Sequence, residues 1–174
     1  ANVAHQLLVV ARTSSSDNPE EGLTIFLVDG NAEGLSWRML SGELLIPSWT
    51  KVTLDGVEVD RAKVVGEVGG AWPILSAAFE KAIPLLCSFK VGGCEAVFEM
   101  SVEYSQSRVQ FGQPIGTFQR VADMIINICD QMDGARWLTY EAIWKLEANQ
   151  PGAAESVAAD KAFTSEAFLE ATNW

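Results

Sequence analysis

The sequence predicts an α+β protein in which a partial antiparallel β-barrel is followed by a helical bundle of long antiparallel helices. Three observations predict this order. Short apolar runs with turn-rich gaps fill residues 1–68, glycines interrupt the pattern at residues 66–70, and helical periodicity follows. The chain of 174 residues is 48% hydrophobic, which supplies enough apolar mass for ordered cores. We therefore expect two domains, residues 1–68 and residues 69–174.

The predicted strands come first along the chain. Residues 7–11 and 23–28 are continuous apolar runs between turn-rich stretches, which is typical of buried strands. Residues 52–55 and 57–60 alternate apolar and polar side chains, which predicts two half-buried strands with a bend at Gly56 between them. Because no helical pattern separates these runs, we expect the strands to pair antiparallel.

Three helices are predicted after the glycine-rich stretch. The first covers residues 70–107, and Pro84 should kink it because proline lacks a backbone N–H. Residues 112–114 form a turn, and residues 115–148 carry the apolar spacing of an amphipathic helix. The third helix covers residues 153–172. Because the first two helices are joined by a short turn, they should run antiparallel.

The charge and hydropathy of the chain exclude several function classes. There are 12 Lys and Arg residues against 23 Asp and Glu, a net charge of −11, and the acidic excess is spread over both halves. Binding to nucleic acid or to anionic lipid needs basic patches, so we expect neither partner. No apolar run approaches 18 residues and no signal-peptide pattern opens the chain, so we expect a cytoplasmic protein without membrane association.

The cysteines and the single histidine narrow the possible chemistry. Cys87, Cys94 and Cys129 are expected to be free core thiols. The first two lie two helical turns apart, roughly 10 Å, beyond the ~7 Å that a disulfide spans. His5 is the only histidine, so we expect no His-based metal site, and a Ser–His or Cys–His pair would have to use this residue beside an apolar strand.

Residues 104–119 are the segment in which the sequence points to chemistry. Arg108 ends the first helix and is followed by Phe111, a glycine turn and the start of the second helix. One interpretation is structural: a helical corner in which the arginine meets the helix dipole and the phenylalanine joins the core. The other is an anion site, in which the guanidinium binds a phosphate bidentately while Phe111 and Gln119 offer a ring and an amide.

This segment resembles the acyl-CoA dehydrogenase family, whose long helix ends in Tyr-x-x-x-Arg-x-Gln-Phe-Gly-x-Pro-Ile before a helix carrying Gln and then Ala-Asp-Met. Weaker similarities lie at residues 8–13, 52–60 and 65–70. The resemblance implies that residues 1–68 are part of the middle β-domain and residues 69–174 most of three helices of the C-terminal domain of a longer protein. The matching residues here are Tyr104, Arg108, Gln110, Phe111, Gly112, Pro114, Ile115, Gln119 and Ala122-Asp123-Met124.

The resemblance also implies the partners of the site. These are FAD as cofactor, an acyl-CoA substrate, an electron-transfer flavoprotein or another electron acceptor, and a homo-oligomer (dimer or tetramer). Arg108 resembles the arginine that pairs with the flavin pyrophosphate bound mainly by a neighbouring subunit. Asp123 is interpreted as structural. Contacts to the same cofactor are implied for Gln110, Phe111, Phe118 and Gln119.

Two departures from the family pattern bear on substrate and catalysis. Many members carry an arginine that contacts CoA just before the helix proline, where this chain has Ile83, so Ile83 and Glu80 are the substrate-side candidates. Some members place the catalytic carboxylate one residue earlier, where Ala82 cannot act as a base. Most members place a glutamate base beyond the position of Trp174, so no catalytic residue is predicted within this chain. Residues 47–50 also depart from the family pattern and receive no role.

We therefore expect an FAD-dependent acyl-CoA dehydrogenase, in which a base removes the α-proton of a thioester while the β-hydride passes to the flavin. The chain is expected to be a fragment that lacks the usual catalytic glutamate region and is inactive alone. The alternative is a catalytically silent family subunit that completes a partner's FAD site. A β-plus-helix interaction module is disfavoured by the run of residues 108–119.

Overall fold

The computed structural model describes residues 3–40 and 49–173. The chain divides into two compact units, Ala1–Ser76 and Ala77–Trp174. The predicted boundary between residues 68 and 69 stays a prediction. Of the segment at residues 47–50, Pro47 and Ser48 lie outside the described residues.

The described residues of the first unit form two small antiparallel sheets. One has the strand order β1-β2-β5, with Val9 opposite Phe26 and Ile25 opposite Val65. The other pairs β3 with β4. The described strands close no barrel, so the partial barrel stays a prediction. The strands are β1 (Gln6–Arg12), β2 (Leu23–Asp29), β3 (Leu35–Met39), β4 (Thr50–Leu54) and β5 (Val64–Val65).

Residues 57–60 were predicted as a strand, and this prediction is wrong. Val57 and Val59 are half-buried while Glu58 and Asp60 are exposed, so the alternation is real, but this segment pairs with no strand among the described residues. The two valines instead line an apolar trough beside β1 and β2, which explains the alternation. The segment ends where the Asp60 carboxylate accepts a hydrogen bond from the Ala62 N–H at 2.8 Å and caps a short 3₁₀ turn.

The glycine-rich stretch is fastened to β2. Buried Thr24 accepts a hydrogen bond from the Gly69 N–H at 2.8 Å, and the Ala71 N–H donates to the Leu23 carbonyl at 2.9 Å. A parallel bridge joins Leu23 to Gly70, whereas the strand ladders among residues 3–40 and 49–173 are antiparallel. The turn before the first helix is therefore held by the sheet.

The helices agree with the predicted ones to within a few residues. They are α1 (Trp72–Ser107), which begins at the end of the first unit, α2 (Gln119–Glu147) and α3 (Ala153–Asn173). α2 begins later than predicted because residues 115–117 form a 3₁₀ turn. α1 is continuous through Pro84, and the kink there stays a prediction.

The core contacts of the second unit fix the helix directions. Cys94 packs with Ile128, Met132 and Ala171, while earlier on α1 Val91 packs near later α2 and earlier α3 positions. As residue numbers rise along α1, those of the α2 residues that it contacts fall. Those of the α3 residues that it contacts rise. α1 and α2 are antiparallel, as predicted, and α3 runs parallel to α1.

A buried carboxylate lies between the helices. Asp160 is fully buried, and its Oδ1 accepts hydrogen bonds from the hydroxyls of Thr139 and Thr164, both at 2.8 Å. Its Oδ2 has no hydrogen-bond partner in the described part of the chain. Burial first, and the nearby Asp160 charge second, raise the pKa of the Cys87 thiol to about 11. Cys87 and Cys94 are buried free thiols, as predicted.

Candidate functional site

The end of α1 fixes the backbone of Arg108 from both sides. Its N–H donates to the Tyr104 carbonyl at 2.9 Å, and its carbonyl accepts from the Ile115 N–H at 2.8 Å. The side chain is exposed. Among residues 3–40 and 49–173, no carboxylate forms an ion pair with the guanidinium. The arginine is thus anchored by its main chain and free to bind an anion.

A two-stranded hairpin follows Arg108 directly. β6 (Val109–Gln110) pairs with β7 (Gln113–Pro114) in antiparallel register. The two turn residues both have positive φ, 52° at Phe111 and 80° at Gly112, which is the conformation of a type I′ turn. A bulky side chain rarely adopts such a φ, and Phe111 is 93% exposed. The turn therefore presents an aromatic ring to solvent at a cost in backbone energy.

Phe118 supports this ring from the start of α2. The two rings meet edge to face, with centroids 6.1 Å apart and an interplanar angle of 89°. Phe118 is the N-cap residue of α2, and its carbonyl accepts from the N–H groups of Val121 and Ala122. The position of the Phe118 ring is thus set by the helix that it begins.

The turn between the hairpin and α2 packs closely on the last part of α1. A Cβ added at Gly116 would lie 3.0 Å from the Ser105 Oγ and 3.2 Å from the Ser105 carbonyl oxygen. Ser105 is buried, and its hydroxyl donates to the Val102 carbonyl at 2.8 Å. A side chain at position 116 would require Ser105 to shift by a few tenths of an ångström, because the two backbones approach within side-chain distance.

Gln119 and Asp123 form a pair on the first turn of α2. The Gln119 Nε2 donates to the Asp123 Oδ1 at 2.7 Å, and both side chains are exposed. This contact orients the Gln119 amide. It also agrees with the interpretation of Asp123 as a structural residue.

The predicted flavin-side residues lie together, and the predicted substrate-side residues lie far from them along α1. Arg108, Gln110, Phe111, Phe118 and Gln119 lie together on one helix–hairpin–helix corner. By contrast, Ile83 lies roughly 36 Å from the end of α1, measured along the helix axis at 1.5 Å per residue, and Glu80 lies further still. The predicted substrate-side and flavin-side residues of one chain therefore do not share a site.

The corner has the chemistry of a binding site. A guanidinium, two aromatic rings and two side-chain amides can hold a planar anionic group, but none of them is a carboxylate or imidazole that could act as a catalytic base. The positive φ of Phe111 and the close approach of Gly116 to Ser105 were not predicted. The Phe-Gly pair at the centre of a short hairpin is the signal from which the strained turn could have been found.

No group of three or more His, Cys, Asp or Glu side chains in the described part of the chain could hold a metal ion. No helix within residues 3–40 and 49–173 combines the length and apolarity needed to cross a bilayer.

Known proteins resemble the helical part of this chain. Residues 69–173 match the family model "Acyl-CoA dehydrogenase, C-terminal domain". The short/branched chain specific acyl-CoA dehydrogenase, mitochondrial, of Bos taurus is 29% identical over 153 residues, which cover 87% of this chain and 35% of that protein.

Three solved structures share the fold over almost the whole chain. Butyryl-CoA dehydrogenase from Megasphaera elsdenii superimposes with a TM-score of 0.89 at 25% identity, covering 99% of this chain and 45% of that one. PigA with FAD and proline gives 0.90 at 26%, covering 97% and 44%. The prolyl acyl carrier protein oxidase AnaB gives 0.88 at 27%, covering 98% and 45%. This chain spans less than half the length of each of these relatives.

Proposed function

The chain belongs to the acyl-CoA dehydrogenase family, and from that premise we propose that it is part of an FAD-dependent dehydrogenase of acyl thioesters. Family membership supports an oxidoreductase function of this kind. When bound, the flavin supplies the hydride acceptor for α,β-dehydrogenation. The residues of this chain bind and orient the cofactor.

The observation that carries the proposal is the exposed guanidinium of Arg108, which forms no ion pair with the described residues and extends from a main chain hydrogen-bonded on both sides. A phosphate or pyrophosphate group can accept two parallel N–H hydrogen bonds from it. Because the Arg108 backbone is hydrogen-bonded to both Tyr104 and Ile115, the main chain needs no ordering on binding, and only the arginine side chain has to be ordered. The arginine is thus suited to hold the pyrophosphate of FAD.

The other corner residues fit the same cofactor. Phe111 and Phe118 present rings to a planar group, and the amides of Gln110 and Gln119 offer hydrogen bonds to polar atoms at its edge. An exposed phenylalanine at positive φ costs stability unless another molecule covers it. We propose that this molecule is the FAD held mainly by a second subunit, which makes the protein a homo-oligomer.

The substrate side is proposed from α1. Ile83 and Glu80 offer no cation to a CoA phosphate, so this chain does not use that position for it. Acyl-CoA is the proposed substrate, since the Bos taurus and Megasphaera relatives are named for acyl-CoA and butyryl-CoA. AnaB is named for a prolyl acyl carrier protein, which makes a carrier-protein thioester the second substrate to assay. Electron-transfer flavoprotein or another acceptor would reoxidise the flavin.

A catalytically silent subunit is the second candidate function. Ala82 stands where some members carry the catalytic carboxylate, and Ile83 lacks the CoA-binding cation. Such a subunit would keep the Arg108 corner and complete a partner's FAD site without performing the reaction.

The two candidates are separated by one experiment on the protein at its natural length. FAD is quantified by visible absorption, and acyl-CoA is then added without oxygen. The enzyme candidate predicts bound FAD whose absorbance is bleached by the substrate. The silent subunit predicts bound FAD without bleaching. A protein that binds no FAD contradicts both candidates.

A further inference from the structure

Two lysines from different helices converge on one serine in the second unit. The Lys90 Nζ on α1 donates to the Ser165 Oγ at 2.7 Å, and the Lys161 Nζ on α3 donates to the same oxygen at 2.9 Å. The Ser165 hydroxyl in turn donates to the Lys161 carbonyl at 2.6 Å. Its one proton and both lone pairs are therefore used. The two ammonium groups lie within about 6 Å of each other, since each contacts the same oxygen at hydrogen-bond distance.

Neither ammonium group is neutralised within the described residues. No carboxylate lies within ion-pair distance of Lys90 or Lys161 there, and two of the three N–H groups of each ammonium have no protein acceptor. The charge of Asp160 also acts on Lys90, but from beyond ion-pair distance, and it is the weakest of the influences on the Lys90 pKa. Desolvation first, and then the charge of Lys161, hold the pKa of Lys90 below its ordinary value.

A second lysine–serine contact in the same bundle includes a carboxylate, which the contact of Lys90 and Lys161 with Ser165 lacks among the described residues. The Lys145 Nζ donates to the Ser156 Oγ at 2.8 Å, as Lys90 does to Ser165. Lys145, however, also pairs with the Glu141 Oε1 at 2.7 Å. The net charge of the chain is −11, yet no described carboxylate lies within ion-pair distance of Lys90 or Lys161. The pair has the charge and the free donors to take an external anion.

We propose that Lys90, Lys161 and Ser165 form a binding site for a phosphate-type oxyanion between α1 and α3. Several oxygens of a tetrahedral anion can accept the free N–H groups of both ammonium groups at once, and lysine is a common phosphate ligand. All three side chains are half-buried, so an anion reaches them from solvent. The site lies roughly 25 Å along α1 from its end at the Arg108 corner, so it is separate from the proposed flavin contact.

Inorganic phosphate is the probe that tests this site. Its dissociation constant is measured by calorimetry at fixed ionic strength, with chloride as the exchanged anion. Phosphate that binds only the folded protein stabilises it, so thermal unfolding should occur at a higher temperature in phosphate than in chloride. In the double variant Lys90→Gln/Lys161→Gln, the dissociation constant should rise at least about tenfold, because two charge-assisted contacts are lost. The matched control Lys145→Gln should leave phosphate binding unchanged.

A charge-conserving variant covers the case in which the glutamine variant folds poorly. Lys90→Arg/Lys161→Arg keeps both charges and should retain phosphate binding. Glycerol 3-phosphate in a parallel titration tells whether the site takes free phosphate alone or also a phosphoryl group carried on a larger molecule. The proposal is overturned if wild type shows no preference for phosphate over chloride. It is equally overturned if the glutamine double variant folds and binds phosphate as wild type does.

Discussion

Phe111 combines a rare backbone conformation with an almost fully exposed ring. Its φ of 52° is one that bulky residues avoid, and at 93% exposure the ring gains little burial in return. Conformations of this kind persist where the surrounding structure imposes them, and they cluster at binding sites. The hairpin ladder and the edge contact with Phe118 impose it here.

Replacing Phe111 by asparagine should separate stability from binding. Asparagine tolerates positive φ at this turn position, so the free energy of unfolding should rise by roughly 0.5–1 kcal/mol. FAD affinity should fall, because the exposed ring is lost. Denaturant unfolding and flavin titration of the same variant measure the two effects. A variant that is destabilised by more than ~1 kcal/mol would show that the turn is not strained.

Cys87 gives the protein a stability change at alkaline pH. Its pKa is about 11 in the folded state against 9.0 as its ordinary value. Because the folded pKa is the higher one, the contribution of the neutral Cys87 thiol to the free energy of unfolding is fully present below pH 9. It is lost as pH rises toward 11. Unfolding free energies measured at several pH values should fall over this window more steeply in wild type than in Cys87→Ala. Parallel profiles would contradict the burial of a neutral thiol.

At the scale of the helices, Asp160 joins α3 to α2 through the hydroxyl of Thr139 and is also bonded within α3 to Thr164. In Asp160→Ala, both hydroxyls lose a charged acceptor inside the bundle. The free energy of unfolding should fall by roughly 1–3 kcal/mol, measured by denaturant titration. Asp130→Ala, at an exposed position of α2, is the control and should change stability by less than about 0.5 kcal/mol. Equal losses of stability in the two variants would contradict a structural role of Asp160.

The helices were more predictable than the strands. The spacing of apolar residues along residues 119–147 is a local signal, and α2 is present there. Residues 57–60 carry the alternation of a strand but pair with no described strand, because pairing depends on residues far along the chain. β3 (Leu35–Met39) was not predicted, since it is mostly exposed and has no regular alternation of burial.

The candidate flavin site was predictable from the sequence to the extent that its residues lie close together along the chain. Arg108, Phe111 and Gln119 lie within one short segment, so their common location follows from a helix–turn–helix pattern. The contact of Gly116 with Ser105 and the meeting of Lys90 with Lys161 depend on tertiary packing, and local patterns do not report it. Whether the five corner residues contact FAD stays a prediction.

At the scale of the whole molecule, the helices of the second unit expose large apolar side chains. Such a surface is typical of proteins that bury it against another subunit. We expect a homo-oligomer with more than ~2,000 Å² buried in total, as in obligate interfaces. The most exposed of these side chains on the three helices are Phe89 (75%), Leu85 (69%), Trp137 (67%), Met100 (61%) and Leu169 (60%).

Sedimentation velocity at micromolar concentration measures the assembly. Wild type should sediment as a dimer or tetramer, and Phe89→Glu should shift the distribution toward monomer because it places a charge on the apolar surface. The exposed Leu8→Glu change on β1 is a control for a general effect of added charge. Monomeric wild type would refute the assembly.

The measurement that tests the account most directly is an FAD titration of the natural-length protein and its Arg108→Ala variant, stripped of flavin and followed by flavin fluorescence. Loss of a bidentate, charge-assisted contact should weaken FAD binding roughly 10- to 100-fold. Arg38→Ala, an exposed arginine on β3, should bind as wild type does. Equal FAD affinity in wild type and Arg108→Ala would contradict the assignment of this corner to the cofactor.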